Sequence, residues 1–380
     1  MPQPRSSLVS LSDTPWYHVV SRCVRRAYLC GEDAHSGRSF EHRRGWIVER
    51  LEQLAGVFAV DVAAYAVMSN HFHIVVRIDA ERVQGWDADE VLRRWTQVFS
   101  GPLLVQRYLA DPASLGEGET GAVLDWVETY RSRLGDLSWY MRVFNESIAR
   151  MANAEDGVTG RFWEGRFKSQ ALLDDAAVLT AMAYVDLNPI RAKLADTPET
   201  SDYTAIAERL AELHGRAPDS PPPGSTSPAS DGPADDSGLP ASPGPEATET
   251  APEEGTEPLH LLKEQRLVTL PRAPLMPFDA TGRLATAVPF AFQDYLELVD
   301  QTGRVIREDK RGFIPGATPA ILERLQIDPE QFIRTAGRTL HRFGTAIGTP
   351  EHMTARCVAR NVAFLRGMSA ARALFRPHAA

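Results

Sequence analysis

A stretch of low-complexity sequence divides the chain and limits how the rest can fold. Residues 216–258 contain 11 of the 27 prolines of the 380-residue chain, with nine acidic residues and one basic residue. A segment this polar and proline-rich buries too little apolar surface to offset the entropy lost on ordering it. We therefore predict a disordered acidic linker between two folded parts, residues 1–215 and 259–380.

The two parts carry opposite net charges. The whole chain has a formal charge of −9, but residues 1–215 carry −7 and residues 259–380 carry +6. In the second part, Asp328-Pro329-Glu330 and Thr349-Pro350-Glu351 each provide a cap, a proline and an acidic residue at a helix start. We predict a small basic helical C-terminal domain that contacts either nucleic acid or another protein.

Composition narrows the class of protein. Cys23, Cys30 and Cys357 fit neither a disulfide framework nor the paired spacing of a zinc site, which favours reduced thiols. The first residues lack the basic and apolar regions of a signal peptide, and Asp61 interrupts an apolar run that is too short to span a membrane. We expect a cytoplasmic protein without membrane segments.

Hydrophobic periodicity in residues 1–215 predicts an α+β fold. Alternating apolar residues indicate three strands, and longer stretches with helical periodicity lie between and after them. This mixture predicts an antiparallel sheet with helices packed on it. The predicted strands are 16–22, 60–68 and 71–78, and the predicted helices are 39–57, 87–99, 120–133, 137–153 and 174–188.

Two histidines lie one residue apart in the third predicted strand. Side chains alternate along a strand, so His71 and His73 share one face while Phe72 and Ile74 lie on the other, which is apolar. The histidine face has two interpretations. It is a polar surface in contact with solvent, or the two imidazoles bind one divalent cation, which would require a third ligand.

The helix predicted at 174–188 offers a further ligand and a nucleophile. Tyr184 lies about 110° from the middle of the apolar stripe by helical geometry, so we do not place it in the core. Asn188 follows one turn later on the same flank. The alternative is an exposed tyrosine and an asparagine that ends the helix before Pro189. Tyr140, at the edge of the stripe of helix 137–153, is the tyrosine expected to be structural.

Four blocks of sequence together resemble a known family. In order, YHVVSRCVRR (17–26), AYAVMSNHFHIVV (64–76), GRFWEGRFKSQALL (160–173) and AYVDLNPIRAKLA (183–195) are similar to the successive motifs of single-tyrosine HUH transposases, in particular the REP-associated tyrosine transposases. The resemblance covers about residues 12–212. It implies an HUH, ferredoxin-like (RRM-like) core. The acidic segment 79–136 and the C-terminal appendage depart from the simplest members.

The resemblance also implies roles for individual residues. Tyr184 would be the catalytic nucleophile, and His71, His73 and Asn188 would bind a divalent cation, Mg²⁺ or Mn²⁺. The implied substrate is single-stranded or hairpin DNA, cut and rejoined through a 5′-phosphotyrosine intermediate. We expect the protein to associate with the nucleoid when bound to DNA, and the sequence leaves open whether it is a monomer or a homodimer. The alternatives are a non-catalytic DNA-binding regulator derived from such an enzyme and a protein that acts on RNA.

The chemistry is reasonable for these residue types. A phenol has a pKa of about 10 and attacks a phosphodiester only if it is activated and the phosphate is polarised. A divalent cation held by two neutral imidazoles and a carboxamide keeps its charge and open coordination positions for that task.

Basic and aromatic residues mark a candidate DNA contact. Their alternation between 161 and 168 is typical of surfaces that bind phosphates and stack bases, but it also fits a hairpin with an aromatic core and a cationic rim. Basic residues elsewhere are weaker candidates that are more often solvated charge, namely Arg25, Arg26, Arg191 and Lys193. His18 is expected to be structural or close to DNA. The predicted DNA-binding residues are Arg161, Phe162, Trp163, Arg166, Lys168, Arg25 and Arg191.

Overall fold

The computed structural model describes residues 8–24, 29–33, 37–215, 267, 269–307, 320–335 and 338–375. The predicted linker at 216–258 and Arg25 lie outside these residues. Where the structure describes the chain, no helix is both long enough and apolar enough to cross a membrane.

The fold is α+β, as predicted, and is built on a sheet of five strands. The strand order is β2-β3-β1-β4-β5. The pairs β2-β3, β3-β1 and β1-β4 are antiparallel, and β5 pairs parallel with β4. The sheet is therefore mixed rather than purely antiparallel. The strands are β1 (Trp16–Arg22), β2 (Val60–Val67), β3 (His71–Ile78), β4 (Lys168–Leu172) and β5 (Ala346–Ile347).

Helices account for most of the remaining described structure. In chain order they are α1 (Arg43–Val57), α2 (Ala80–Gln84), α3 (Ala88–Thr96), α4 (Leu103–Ala110), α5 (Glu117–Leu134), α6 (Leu137–Asp156), α7 (Asp175–Asp186), α8 (Asn188–Arg191), α9 (Ala205–Leu213), α10 (Phe292–Arg307), α11 (Ala320–Arg324), α12 (Pro329–Thr335), α13 (Pro350–Ala359) and α14 (Met368–Leu374). Short 3₁₀ turns occur at Pro112–Ser114, Pro198–Thr200 and Leu340–Arg342.

Helices cover both faces of the sheet. On one face Phe72 packs edge-on against Phe144 of α6, with ring centroids 5.1 Å apart. On the other face α7 contacts β2, β3 and β4 and buries His71, His73 and Val75. The interpretation of the histidine face as a strand surface in contact with solvent is therefore wrong, because a helix packs on that face.

The helix α7 begins at the predicted cap but ends earlier than predicted. The Asp174 side chain accepts a hydrogen bond from the Ala177 N–H at 2.8 Å, which satisfies one of the free N–H groups of the first turn. The helix ends at Asp186, and the short helix α8 follows with Pro189 as its second residue. A proline is tolerated there because the first N–H groups of a helix have no partner within the helix.

The C-terminal part packs directly on the N-terminal part. It supplies β5 to the shared sheet, and Arg356 of α13 forms an ion pair with Asp13 at 2.9 Å. From α10, the Tyr295 hydroxyl donates a hydrogen bond to the buried carboxylate of Asp186. The helices predicted from the two Pro-Glu starts are confirmed as α12 and α13.

The bond between Tyr295 and Asp186 gives a test of this packing. Burial raises the pKa of Asp186 from 3.8 to about 6, while the Tyr295 hydroxyl acts in the opposite direction. Since this folded-state pKa lies above the unfolded one, the group's contribution to stability is present below about pH 4 and is lost as pH rises through 6. In Tyr295→Phe the pKa of Asp186 should rise further, because the hydroxyl that lowers it is removed. The free energy of unfolding should then fall more at neutral pH than it does in wild type.

We therefore expect Tyr295→Phe to lower the free energy of unfolding by about 1–3 kcal/mol at pH 7.5 and by less at pH 5. Urea unfolding at both pH values measures this difference. Tyr108→Phe is the matched control, because no hydrogen bond of its half-buried hydroxyl is seen within the described residues. An equal effect of the two substitutions would contradict the proposed role of Tyr295.

Candidate functional site

The candidate site lies where the histidine face of β3 meets α7. The His73 and Tyr184 rings approach edge-to-face with centroids 5.6 Å apart, and the His71 and His73 centroids are 4.9 Å apart. The side chains are almost fully covered: the exposed fraction is 2% for His71, 3% for His73 and 4% for Tyr184. The structure thus brings together a tyrosine and two imidazoles that are more than 100 residues apart in sequence.

The burial of Tyr184 differs from the expectation that it lies outside the core. Its ring packs against those of His73 and His18 on the sheet, with centroids 5.6 and 6.3 Å away. His341 of the C-terminal part also covers it, with Nε2 2.9 Å from the Tyr184 hydroxyl. The sequence of residues 1–215 holds no sign of this cover.

A chain of buried hydrogen bonds fixes which nitrogen of His73 carries the proton. The Gln170 Nε2 amide donates to the carbonyl oxygens of Leu340 and Gly344, at 3.0 and 2.8 Å, so its Oε1 must face Nδ1 of His18. That nitrogen therefore donates, and Nε2 of neutral His18 accepts a hydrogen bond from Nδ1 of His73 at 2.9 Å. The Nε2 atom of His73 is left with a lone pair.

The same tautomer is present at His71. Its Nδ1 lies 2.6 Å from the side-chain oxygen of Asn70, which can only accept, so Nδ1 donates. In the neutral ring, Nε2 then carries the lone pair. A hydrogen bond on one ring nitrogen that directs the lone pair of the other is the usual arrangement around metal-binding histidines.

The hydrogen bonds from Gln170 through His18 to His73 form a relay. The pKa values of its two histidines, His18 and His73, favour the neutral forms. Burial lowers the pKa of His18 to about 4, partly opposed by its hydrogen bond to Gln170. Burial also lowers the pKa of His73 well below its usual value, and the neighbouring His71 and His18 lower it further. Both rings are therefore uncharged at neutral pH.

Arg191 connects the tyrosine to the predicted third ligand. Its guanidinium donates from Nη2 to the Tyr184 hydroxyl at 3.4 Å and to the side-chain oxygen of Asn188. The Arg191 guanidinium also lies over the Tyr184 ring, 5.1 Å from its centroid. Arg191, predicted as a weak DNA contact, is thus part of the site itself, where it can stabilise a phenolate.

The predicted ligands fit a divalent cation in part. Nε2 of His73 is buried and has no hydrogen-bond partner among the described residues, which suits a nitrogen reserved for a metal. The Asn188 side-chain oxygen accepts a hydrogen bond from Arg191. This hydrogen bond would have to break before the oxygen could bind a cation. In the described part of the chain, this site included, no group of three His, Cys, Asp or Glu side chains is arranged to hold a metal ion. Any cation here would therefore need the carboxamide as well as the two imidazoles.

Tyr140 lies on the opposite face of the sheet, within the core. Its ring packs edge-on against Phe58, and its hydroxyl donates to the Leu51 carbonyl at 3.3 Å. Burial strongly raises the pKa of its hydroxyl. These contacts are those of a structural tyrosine.

The predicted DNA-binding segment divides into core and surface. Phe162 and Trp163 are buried, and Trp163 donates from its ring N–H to the Asn145 carbonyl at 2.8 Å. Their rings are not presented to bases, which agrees with the aromatic-core alternative. Arg161, Arg166 and Lys168 are exposed.

Strand register shows basic residues that share the face of the site. Val20 pairs with both His73 and Lys168, and Arg22 pairs with His71. Directly opposed residues of antiparallel strands point to the same face. Lys168 and Arg22 therefore share the face that carries the two histidines.

Sequence analysis missed the contributions of Gln170, Arg22 and His341. Gln170 and Arg22 lie within two of the four sequence blocks, but the resemblance implied no role for either. The position of Arg22 beside His71 depends on strand register. His341 follows Tyr184 by 157 residues, beyond the predicted linker. The alternation within 168–172 was the only available signal that Gln170 shares a face with Lys168.

Comparisons of the chain with family models, with curated proteins and with solved structures found no match.

Gln170 provides a test of the hydrogen-bond relay. Gln170→Glu keeps the acceptor for His18 but removes the donor to the two loop carbonyls, leaving a carboxylate facing carbonyl oxygens in a buried place. We expect the free energy of unfolding to fall by about 2–5 kcal/mol, measured by urea denaturation.

The matched control is Gln106→Glu. Its amide also donates to a carbonyl, that of Gly101 at 2.9 Å, but on the exposed surface. We expect a change within about 0.5 kcal/mol. If Gln170→Glu were as mild as this control, the relay would not hold the site.

Proposed function

We propose that this protein is a metal-dependent transposase that cleaves and rejoins single-stranded DNA through a 5′-phosphotyrosine intermediate, with Tyr184 as nucleophile. The observation that carries the proposal is the edge-to-face contact of Tyr184 with His73, whose Nε2 lone pair is fixed by the relay from Gln170. A nucleophile beside a preorganised ligand pair is the arrangement that phosphoryl transfer by a tyrosine requires. The resemblance of four sequence blocks to single-tyrosine HUH transposases supports the same function.

His71, His73 and Asn188 are the residues that would hold the cation. A divalent ion bound there would polarise the scissile phosphate. The two imidazoles supply neutral nitrogen ligands and Asn188 a neutral oxygen, a set that suits Mn²⁺ or Mg²⁺ when phosphate and water complete it.

Arg191 would change partners when DNA enters. It is half-buried, and with His341 it forms the part of the site nearest to solvent. A phosphate approaching from that side offers the guanidinium a charged acceptor in place of the neutral Asn188 oxygen, and charge-assisted hydrogen bonds are the stronger ones. The exchange would bind the phosphate and free the carboxamide in one movement.

The basic residues on this face provide a path for the DNA backbone. Lys168 and Arg22 lie beside the histidines in the sheet, and Arg161 and Arg166 are exposed in the segment before β4. Phosphate contacts of this type bind single strands with little dependence on sequence.

The reaction would proceed by direct displacement. The Tyr184 oxygen forms a bond to phosphorus while the bond from phosphorus to the 3′-oxygen breaks, and the electron pair leaves with that oxygen. The product carries the DNA 5′-phosphate on Tyr184 and a free 3′-hydroxyl. Because the ester retains the bond energy, attack by another 3′-hydroxyl restores a phosphodiester without ATP.

A covalent adduct tests the proposal. We incubate the full-length protein with Mn²⁺ and an end-labelled single-stranded DNA containing a hairpin, and separate the products on a denaturing gel. Wild type should form a labelled adduct that EDTA prevents, because the phosphate must be polarised. Tyr184→Phe should form none, since it lacks the attacking oxygen.

Tyr140→Phe is the matched control, because it removes the hydroxyl of a buried tyrosine outside the site. It should retain the adduct. Retention in Tyr184→Phe together with loss in Tyr140→Phe would overturn the assignment, and no adduct in wild type would overturn the function.

A further inference from the structure

An imidazole of the C-terminal part, that of His341, lies within hydrogen-bond distance of the Tyr184 hydroxyl. Nε2 of His341 lies 2.9 Å from the hydroxyl oxygen, within the range expected of a nucleophile and its base. The two rings meet at an angle of 64° with centroids 6.0 Å apart. Residues 1–215, which carry the sequence motifs, provide the tyrosine of this contact, and the imidazole comes from beyond the predicted linker.

Arg191 and His341 both contact the Tyr184 oxygen. A guanidinium only donates, so the 3.4 Å contact from Arg191 occupies a lone pair of the Tyr184 oxygen. The phenol can donate its proton to Nε2 of His341 in the tautomer of that imidazole which carries its own proton on Nδ1. The Tyr184 oxygen thus lies within hydrogen-bond distance of both an imidazole nitrogen and a positively charged guanidinium.

We infer that His341 is a catalytic residue that takes the proton of Tyr184 during strand cleavage and returns it during rejoining. The inference rests on the proposed function, which it extends to the C-terminal part of the chain. It goes beyond the residues that the sequence motifs provide, because His341 belongs to none of the four blocks.

The other nearby imidazoles cannot take this role. His18 uses Nδ1 to donate to Gln170 and Nε2 to accept from His73, so both of its nitrogens are engaged. His73 donates from Nδ1, and its Nε2 is the atom reserved for the cation. Nε2 of His341 lies within hydrogen-bond distance of the Tyr184 hydroxyl.

The proton balance is complete in both directions. In cleavage, the proton passes from the Tyr184 oxygen to Nε2 of His341 as the bond to phosphorus forms, and the departing 3′-oxygen takes a proton from solvent water. In rejoining, a DNA 3′-hydroxyl attacks phosphorus and loses its proton to solvent. The bond from phosphorus to Tyr184 breaks, and the phenolate recovers its proton from the His341 imidazolium.

The loop that carries His341 is held in place by the same amide that begins the histidine relay. Gln170 donates to the carbonyl oxygen of Leu340, the first residue of the 3₁₀ turn at Leu340–Arg342, and to that of Gly344, which follows the turn. Arg366 donates to the His341 carbonyl at 3.3 Å. The imidazole is therefore supported from β4 and from the C-terminal part, as a preorganised base requires.

The test compares single-turnover rates of adduct formation, with the full-length protein, Mn²⁺ and the labelled hairpin DNA. We expect His341→Ala and His341→Gln to lower the rate about 10²–10⁴-fold, the usual contribution of a general base. DNA affinity, measured by fluorescence anisotropy, should not change. Free imidazole in the buffer should restore rate to His341→Ala, because it can replace the missing base.

His214→Ala is the matched control, since His214 is an exposed histidine at the end of α9. It should react at the wild-type rate with or without imidazole. Urea unfolding shows whether the His341 variants are folded, and His341→Gln preserves polarity if His341→Ala does not fold.

Three results would overturn the assignment of His341. They are a rate in the folded His341 variants equal to or above that of wild type, a loss that imidazole does not restore in folded His341→Ala, and an equal loss in His214→Ala. A rate above that of wild type would instead indicate that His341 inhibits the reaction by covering Tyr184. Because these outcomes are defined relative to an active wild type, they are distinct from failure of the proposed function, in which wild type itself forms no adduct.

Discussion

The site depends on the hydrogen bonds made by the buried carboxamide of Gln170. Its two N–H groups hold the loop at 340–344, and its oxygen accepts from His18, which orients His73. A carboxamide is the side chain that donates on one side and accepts on the other while remaining uncharged. In a buried place each of these groups would be costly to leave unpaired, so the relay and the loop are coupled through a single residue.

This coupling joins the two parts of the chain into one site. The N-terminal part contributes the imidazole pair, the tyrosine and Arg191, and the C-terminal part contributes His341, the strand β5 and the Tyr295 contact to Asp186. Arg191 holds both Tyr184 and Asn188, so a charged phosphate entering the site would compete for the guanidinium that now occupies the Asn188 oxygen. The site is closed in this conformation, with its half-buried residues, Arg191 and His341, on the solvent side.

Local patterns in the sequence predicted the local structure well. The alternating runs at 16–22 and 71–78 match β1 and β3 in full, because alternation on a pleated strand is a property of neighbouring residues. The strands β4 and β5 were not predicted: β4 lies in a segment rich in charge and glycine, and β5 has two residues that are defined by pairing with β4. Tyr184 and His73 were chosen from the sequence, but the burial of Tyr184 and the contact with His341 depend on chain that is distant in sequence. No local periodicity carries such information.

The central claim is that the relay leaves Nε2 of His73 unprotonated and available. The direct measurement is a long-range ¹H–¹⁵N correlation spectrum of the ¹⁵N-labelled full-length protein at neutral pH without added metal, with the His73 ring assigned by His73→Gln. The relay predicts a neutral His73 ring that carries its proton on Nδ1, and His18 should show the same tautomer. A His73 ring protonated on Nε2, or on both nitrogens, would contradict the account.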